Sequence, residues 1–235
     1  MKILLSTLFI LFGTMTNLEA NDTTRVLEYL VRVPKLQSEK PPIIILLHGV
    51  GSNEEDLFSF ADELPGNYLV VSARAPITLG QGSYAWYPYD ISGGKVVVNL
   101  EQQEKARTIL VQFITELKQQ LNFNEHEIYL CGFSQGAIMS FSVGLSRPDL
   151  IKGIAIMSGR LPDGMKTMIA PKEKLQDMKV FISHGTNDQV LSIEYARKSL
   201  AYLKTLNLHP IYKEYSEGHG INNEMFKDLV NWLKK

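Results

Sequence analysis

A single cysteine, Cys131, stands in a chain of 235 residues, so no intramolecular disulfide can form. Stability has to come from a packed core, which 45% hydrophobic residues over this length can supply. An excess charge is lacking too: 24 Lys and Arg against 25 Asp and Glu leave a net charge of −1. That balance gives no electrostatic pull toward nucleic acid or an anionic membrane, and neither is expected as a partner. Metal motifs are missing: there is no H-E-x-x-H, no cysteine pair, and no convergent set of three histidines. Neither a metal nor a cofactor is therefore expected. No repeat, low-complexity tract or Pro/Gly-rich linker divides the chain, which predicts one domain over residues 21–235.

An almost unbroken apolar run, residues 3–12, follows Lys2 and gives way to a more polar stretch ending Leu18-Glu19-Ala20. It is too short to span a bilayer and has the order of a secretory signal. Residues 1–20 are expected to be a signal peptide cleaved near Ala20, and the mature protein to be exported with no integral membrane segment.

Beyond it, short apolar runs alternate with helical patterns. Strands are predicted at 26–33, 43–48, 68–73, 127–131, 151–157, 180–184 and 211–215. Between them, Asn53 and the acidic residues after it cap a helix to about Leu64. Leu110, Phe113, Ile114, Leu117 and Leu121 stripe another, and residues 135–146 form a third. Further helices follow Ile193 and precede the C-terminus, while residues 76–98 and 160–176 read as irregular. Alternating strands and helices predict an α/β fold, a mostly parallel central sheet with helices on both faces. Active sites in such sheets gather at the carboxyl ends of the strands.

Gly132-Phe133-Ser134-Gln135-Gly136 lies between an apolar strand and an apolar helix, the setting a G-x-S-x-G nucleophile elbow requires. Glycine at 132 and 136 removes side chains that the sharp turn would bring together. Cys131 is the rival nucleophile, but it sits inside the strand, away from the helix N-terminus that would activate a thiol. A nucleophilic serine needs a base, and the base needs an acid to orient it; the order serine, acid, histidine is that of α/β hydrolases. Asp188 follows the 180–184 strand, 54 residues after Ser134, and His219 follows the last strand, 31 residues later. Glycines at 218 and 220 are expected to let the histidine loop bend tightly. Asp177, His126 and His209 precede strands and so face the wrong end of the sheet, while Asp163 stays open as an alternative acid. His184 ends the strand leading to Asp188 and is expected to hydrogen-bond within that loop.

An oxyanion needs preorganised donors. The N–H of Gln135 is one candidate, and the N–H of Val50, in His48-Gly49-Val50-Gly51 after the 43–47 strand, is the other. A phosphate-cradling role for that loop fails, since neither the Walker lysine nor the dinucleotide glycine pattern is present.

Taken in order, Leu47-His48-Gly49-Val50-Gly51, Ala85-Trp86-Tyr87, Gly132-Phe133-Ser134-Gln135-Gly136, Met157-Ser158-Gly159, His184-Gly185-Thr186-Asn187-Asp188 and Gly218-His219-Gly220 resemble the phospholipase/carboxylesterase family, which includes the acyl-protein thioesterases. The resemblance covers residues 26–235. It implies a single-domain α/β hydrolase that cleaves esters or thioesters through an acyl-enzyme, with Ser134, Asp188 and His219 as triad and Val50 and Gln135 as oxyanion donors. Under it, Trp86 and the 160–176 segment would border the acyl pocket, though Trp86 reads equally well as core. Export argues against lipidated cytosolic proteins as substrates and for a carboxylesterase acting on small or medium acyl esters, with thioesters and lysophospholipids as further candidates. A peptidase or amidase of the same fold, or a non-catalytic binding protein, are the alternatives.

Overall fold

The computed structural model describes residues 25–92, 95–162 and 164–235. The expected signal segment and Asp163 lie outside them. A seven-stranded sheet organises the chain, in the order β1-β3-β2-β8-β9-β10-β11. Its members are β1 (Tyr29–Arg32), β2 (Ile43–Leu47), β3 (Leu69–Ala73), β8 (Ile128–Phe133), β9 (Gly153–Met157), β10 (Lys179–Gly185) and β11 (Ile211–Tyr215). Only β1, at one edge, runs antiparallel to its neighbour.

The central strands β2, β8 and β9 are apolar runs because both faces are covered, whereas β11, at the edge, exposes Lys213 and Glu214. Along β2, Ile43, Ile45 and Leu47 enter one core and Ile44 and Leu46 the other, as alternating strand side chains must. The first core packs α2 (Leu100–Gln120), α3 (Gln135–Ser146) and α5 (Ile193–Thr205) through Phe113, Phe141 and Leu203. The second packs α1 (Glu54–Phe58) and α6 (Asn223–Leu233) through Leu57, Leu229 and Trp232. Cys131 lies wholly within this second core, and burial raises its thiol pKa.

The 76–98 stretch is not irregular: it forms two hairpins, β4 (Ile77–Gly80) with β5 (Ser83–Ala85) and β6 (Tyr89–Ser92) with β7 (Lys95–Val98). In the 160–176 segment a short 3-10 turn over Met165–Thr167 precedes α4 (Lys172–Leu175). This segment packs back on its neighbours, with Ala170 N–H donating to Leu145 O at 2.9 Å and Leu161 N–H to Ser199 Oγ at 3.0 Å. Among the described residues no helix is long and apolar enough to cross a membrane.

Strand order reverses between β2 and β8: from β2 the chain moves outward to β3, and from β8 outward the other way. A crevice opens at such a reversal, above the carboxyl ends of the two strands. The His48–Gly51 loop leaves β2 there, and Ser134 leaves β8.

Candidate active site

Ser134 occupies the turn between β8 and α3 with φ 53° and ψ −115°, a positive-φ conformation uncommon for a residue with a side chain. Sterics explain the flanking glycines. A Cβ on Gly132 would stand 2.3 Å from the Gly136 carbonyl, and one on Gly136 only 2.0 Å from the Leu47 oxygen. Gly132 thus meets Gly136 across the turn as expected, while Gly136 is pressed instead against the end of β2.

Three loops then meet. Ser134 Oγ donates toward His219 Nε2 at 2.9 Å, and His219 Nδ1–H donates to Asp188 Oδ2 at 2.7 Å. Asp188 is held in turn: its Oδ1 accepts the N–H groups of Val190 and Leu191, each at 2.8 Å. The Phe133 ring lies against the His219 imidazole, centroids 5.0 Å apart. Ser134 keeps 7% of its surface exposed, while the Asp188 side chain is fully buried. Backbone bonds fuse the acid and histidine loops: Thr186 N–H donates to Tyr215 O at 2.7 Å and Asn187 N–H to Glu217 O at 2.9 Å. A Cβ on Gly185 would meet the Glu217 and Gly218 oxygens at 2.3 Å, so this seam admits only glycine. The glycines beside His219 do not provide the tight bend expected of them. Neither Gly218 nor Gly220 has a positive φ, and a Cβ on either would meet no atom within 4 Å.

The loop after β2 abuts the serine. A Cβ on Gly49 would lie 3.3 Å from Ser134 Cβ, and Gly51 takes the left-handed φ of 83°. Gly51 N–H donates to Tyr84 O at 2.8 Å and Ser52 N–H to Gly49 O at 3.3 Å, bending the chain back at Val50. Gln135 is the first residue of α3, where a backbone N–H has no carbonyl within the helix to bond.

A buried scaffold that the sequence reading did not foresee fixes this loop. His48, fully buried, accepts the Ala75 N–H on Nε2 at 3.0 Å, so its proton sits on Nδ1 and is donated to Gly49 O at 2.7 Å. Burial also lowers the pKa of His48, keeping the ring neutral. Trp86 is 1% exposed and packs in the core, where its indole N–H donates to His48 O at 2.9 Å. It therefore braces the loop from within rather than lining an open pocket. The Gln135 amide completes the scaffold, accepting Trp86 N–H and donating to Tyr87 O, both at 2.8 Å. An amide at the buried start of α3, whose other polar residues are only serines, was the signal for this role.

His184 bonds within its loop as expected, its Nε2 lying 2.6 Å from Leu191 O. Asp177 and His126 stand before β10 and β8, at the far end of the sheet. Among the described residues no group of three or more His, Cys, Asp and Glu could hold a metal.

The phospholipase/carboxylesterase family matches residues 30–235. Among curated proteins, a carboxylesterase of Arabidopsis thaliana, SOBER1, is 26% identical over 209 residues, covering 82% of this chain and 89% of its own. Acyl-protein thioesterase 1 of Candida albicans is 25% identical over 224 residues, covering 87% and 96%. The solved Bacillus cereus carboxylesterase superposes with a TM-score of 0.77 at 23% identity, over 88% of this chain and 93% of its own, which shows a shared fold.

Proposed function

Since the chain belongs to the phospholipase/carboxylesterase family, we propose that it is a serine esterase whose nucleophile is Ser134, with His219 as base and Asp188 as the acid orienting it. The observation that carries this reading is the unbroken line Asp188–His219–Ser134, with contacts of 2.7 and 2.9 Å.

His219 takes the Ser134 proton as Oγ attacks the ester carbonyl, and the oxyanion is received by the N–H groups of Val50 and Gln135. His219 then gives the proton to the leaving alcohol, and the acyl group stays on Ser134. Water activated by His219 releases the acid and restores the serine. Asp188 remains ionised and holds the imidazole with its proton on Nδ1. Carboxylesterase and thioesterase names among the relatives support ester and thioester bonds as the substrates. Small or medium acyl esters are the proposed class for a chain whose first 20 residues have the order of an export signal. In a secreting host, the mature product is expected to begin at or near Asn21, and N-terminal sequencing that finds Met1 overturns export.

The test of the site compares p-nitrophenyl ester hydrolysis, from acetate upward in acyl length, between the signal-less protein and Ser134→Ala. Turnover by the parent alone supports the assignment, and its chain-length profile reports the acyl preference. Equal rates for the two proteins remove Ser134 as nucleophile.

A further inference from the structure

The Asp188 carboxylate is approached by a second histidine. His184, the sixth residue of β10, is fully buried, and its Nε2 lies 3.2 Å from Asp188 Oδ2, the oxygen that also receives His219. The same Nε2 lies 2.6 Å from Leu191 O, so it must carry the proton. Nδ1 has no partner among the described residues, and a proton there would be buried without an acceptor. The Nε2–H is accordingly directed into the acid loop.

We infer that His184 is a positioning residue that sets how strongly Asp188 holds His219, which rests on the reading of Ser134, His219 and Asp188 as a triad. A carboxylate oxygen that lies beside a further N–H dipole, here 3.2 Å away, has less charge to offer any one donor. With His184 in place, Oδ2 orients the His219 imidazole without over-stabilising its protonated form. The bond to Leu191 O holds the His184 imidazole with its N–H edge beside Oδ2. The other charged groups nearby are already engaged. Glu214 of β11, opposite His184 in register, is bound by Arg197 of α5, and the Glu217 carboxylate accepts from Gly218 N–H and Asn222 Nδ2. From α6, Asp228 is tied to the Tyr215 hydroxyl, and Ser158 beyond β9 brings no charge.

Two substitutions separate tuning from mere support. His184→Leu removes the N–H, and His184→Gln puts an amide N–H near the position of Nε2. In the leucine variant the acid limb of kcat/KM is expected to move to higher pH by about half a unit. The glutamine variant is expected to keep the parental limb. In a Ser134→Ala background, the downfield proton resonance of His219 Nδ1–H is expected to move further downfield with leucine and to stay in place with glutamine. An acid limb and a resonance unmoved by leucine, or moved equally by glutamine, overturn the proposal. Should the leucine variant not fold, the imidazole nitrogen shifts of the Ser134→Ala protein decide. Nε2 protonated with Nδ1 bare supports it, and the reverse tautomer overturns it. Because the resonance is read without turnover, a failure of the triad reading, seen as activity retained by Ser134→Ala, remains distinct from a failure of this one.

Discussion

Replacing Gly136 with alanine tests how closely the elbow is fitted to the sheet. The new Cβ would stand 2.0 Å from Leu47 O, 2.5 Å from Leu47 C and 2.7 Å from His48 O, all backbone atoms that no rotamer change can relieve. Contacts below 3.0 Å are essentially never seen, so α3 and the end of β2 must part by at least 3.0 − 2.0 = 1.0 Å. Ser134 and Gln135 ride on one side of that gap and the Val50 loop on the other. A displacement of this size between reacting groups costs on the order of 100-fold in rate. The strain of overpacking costs about 1–3 kcal/mol. In a domain of this size that lowers Tm by roughly 2 to 12 °C. The assay pairs kcat/KM on a p-nitrophenyl ester with thermal unfolding, and uses Gly218→Ala as a control. Gly218 flanks His219 yet has nothing within 4 Å of an added Cβ, so the control is expected to stay near the parent in both measurements. A Gly136→Ala protein with parental rate and Tm refutes the steric argument. So does a Gly218→Ala protein that is equally damaged.

Gln135→Leu keeps the volume but removes the acceptor of Trp86 N–H and the donor to Tyr87 O. At about 1–3 kcal/mol for a buried group left unsatisfied, the urea midpoint should fall clearly, and an unchanged midpoint denies the scaffold its role. His48 makes stability sensitive to acid. Burial lowers its native pKa below the ordinary 6.5, so its contribution is complete above pH 6.5 and is lost as pH falls below that value. The loss cannot exceed about 1.4 kcal/mol per pH unit for one proton. Comparing urea midpoints at pH 7 and pH 5 should show a larger drop in the parent than in His48→Asn, and identical drops count against the assignment.

Where steric demands are absolute, the sequence was transparent. The elbow could be read because its two glycines have no substitute, and the inner strands because burial on both faces leaves them continuously apolar. Elsewhere the signals were shared between structures. Leu57, Ala61 and Leu64 keep helical spacing, yet α1 ends at Phe58 and the chain goes on through tight turns such as Phe60 N–H to Leu57 O and Ala61 N–H to Phe58 O. Turns of this kind bury nearly the same positions as a helix. α2 begins ten residues before the stripe that announced it, since its first turns carry Glu101, Gln102 and Lys105 on an Asn99 cap. The 76–98 hairpins were hidden because strands of three or four residues are too short to display alternation. Within the site, Ser134, Asp188 and His219 stood out by their place at strand ends. The His48–Trp86–Gln135 scaffold did not, because it joins three distant segments through backbone groups that no residue pattern records.

The fusion of the acid and histidine loops has a consequence for when the molecule becomes active. Asp188 and His219 are fastened to each other by backbone bonds across β10 and β11, whereas Ser134 belongs to β8 and α3. The line of three is joined across this division at the 2.9 Å contact between His219 and Ser134. A chain in which the penultimate and final strands have not yet paired can have Ser134 and the His48–Gly51 loop in place and still lack His219, the proposed base, beside them. On the proposed mechanism, hydrolysis therefore reports the pairing of β10 with β11 and is silent in any partly assembled form that lacks it, however native the rest of the sheet has become.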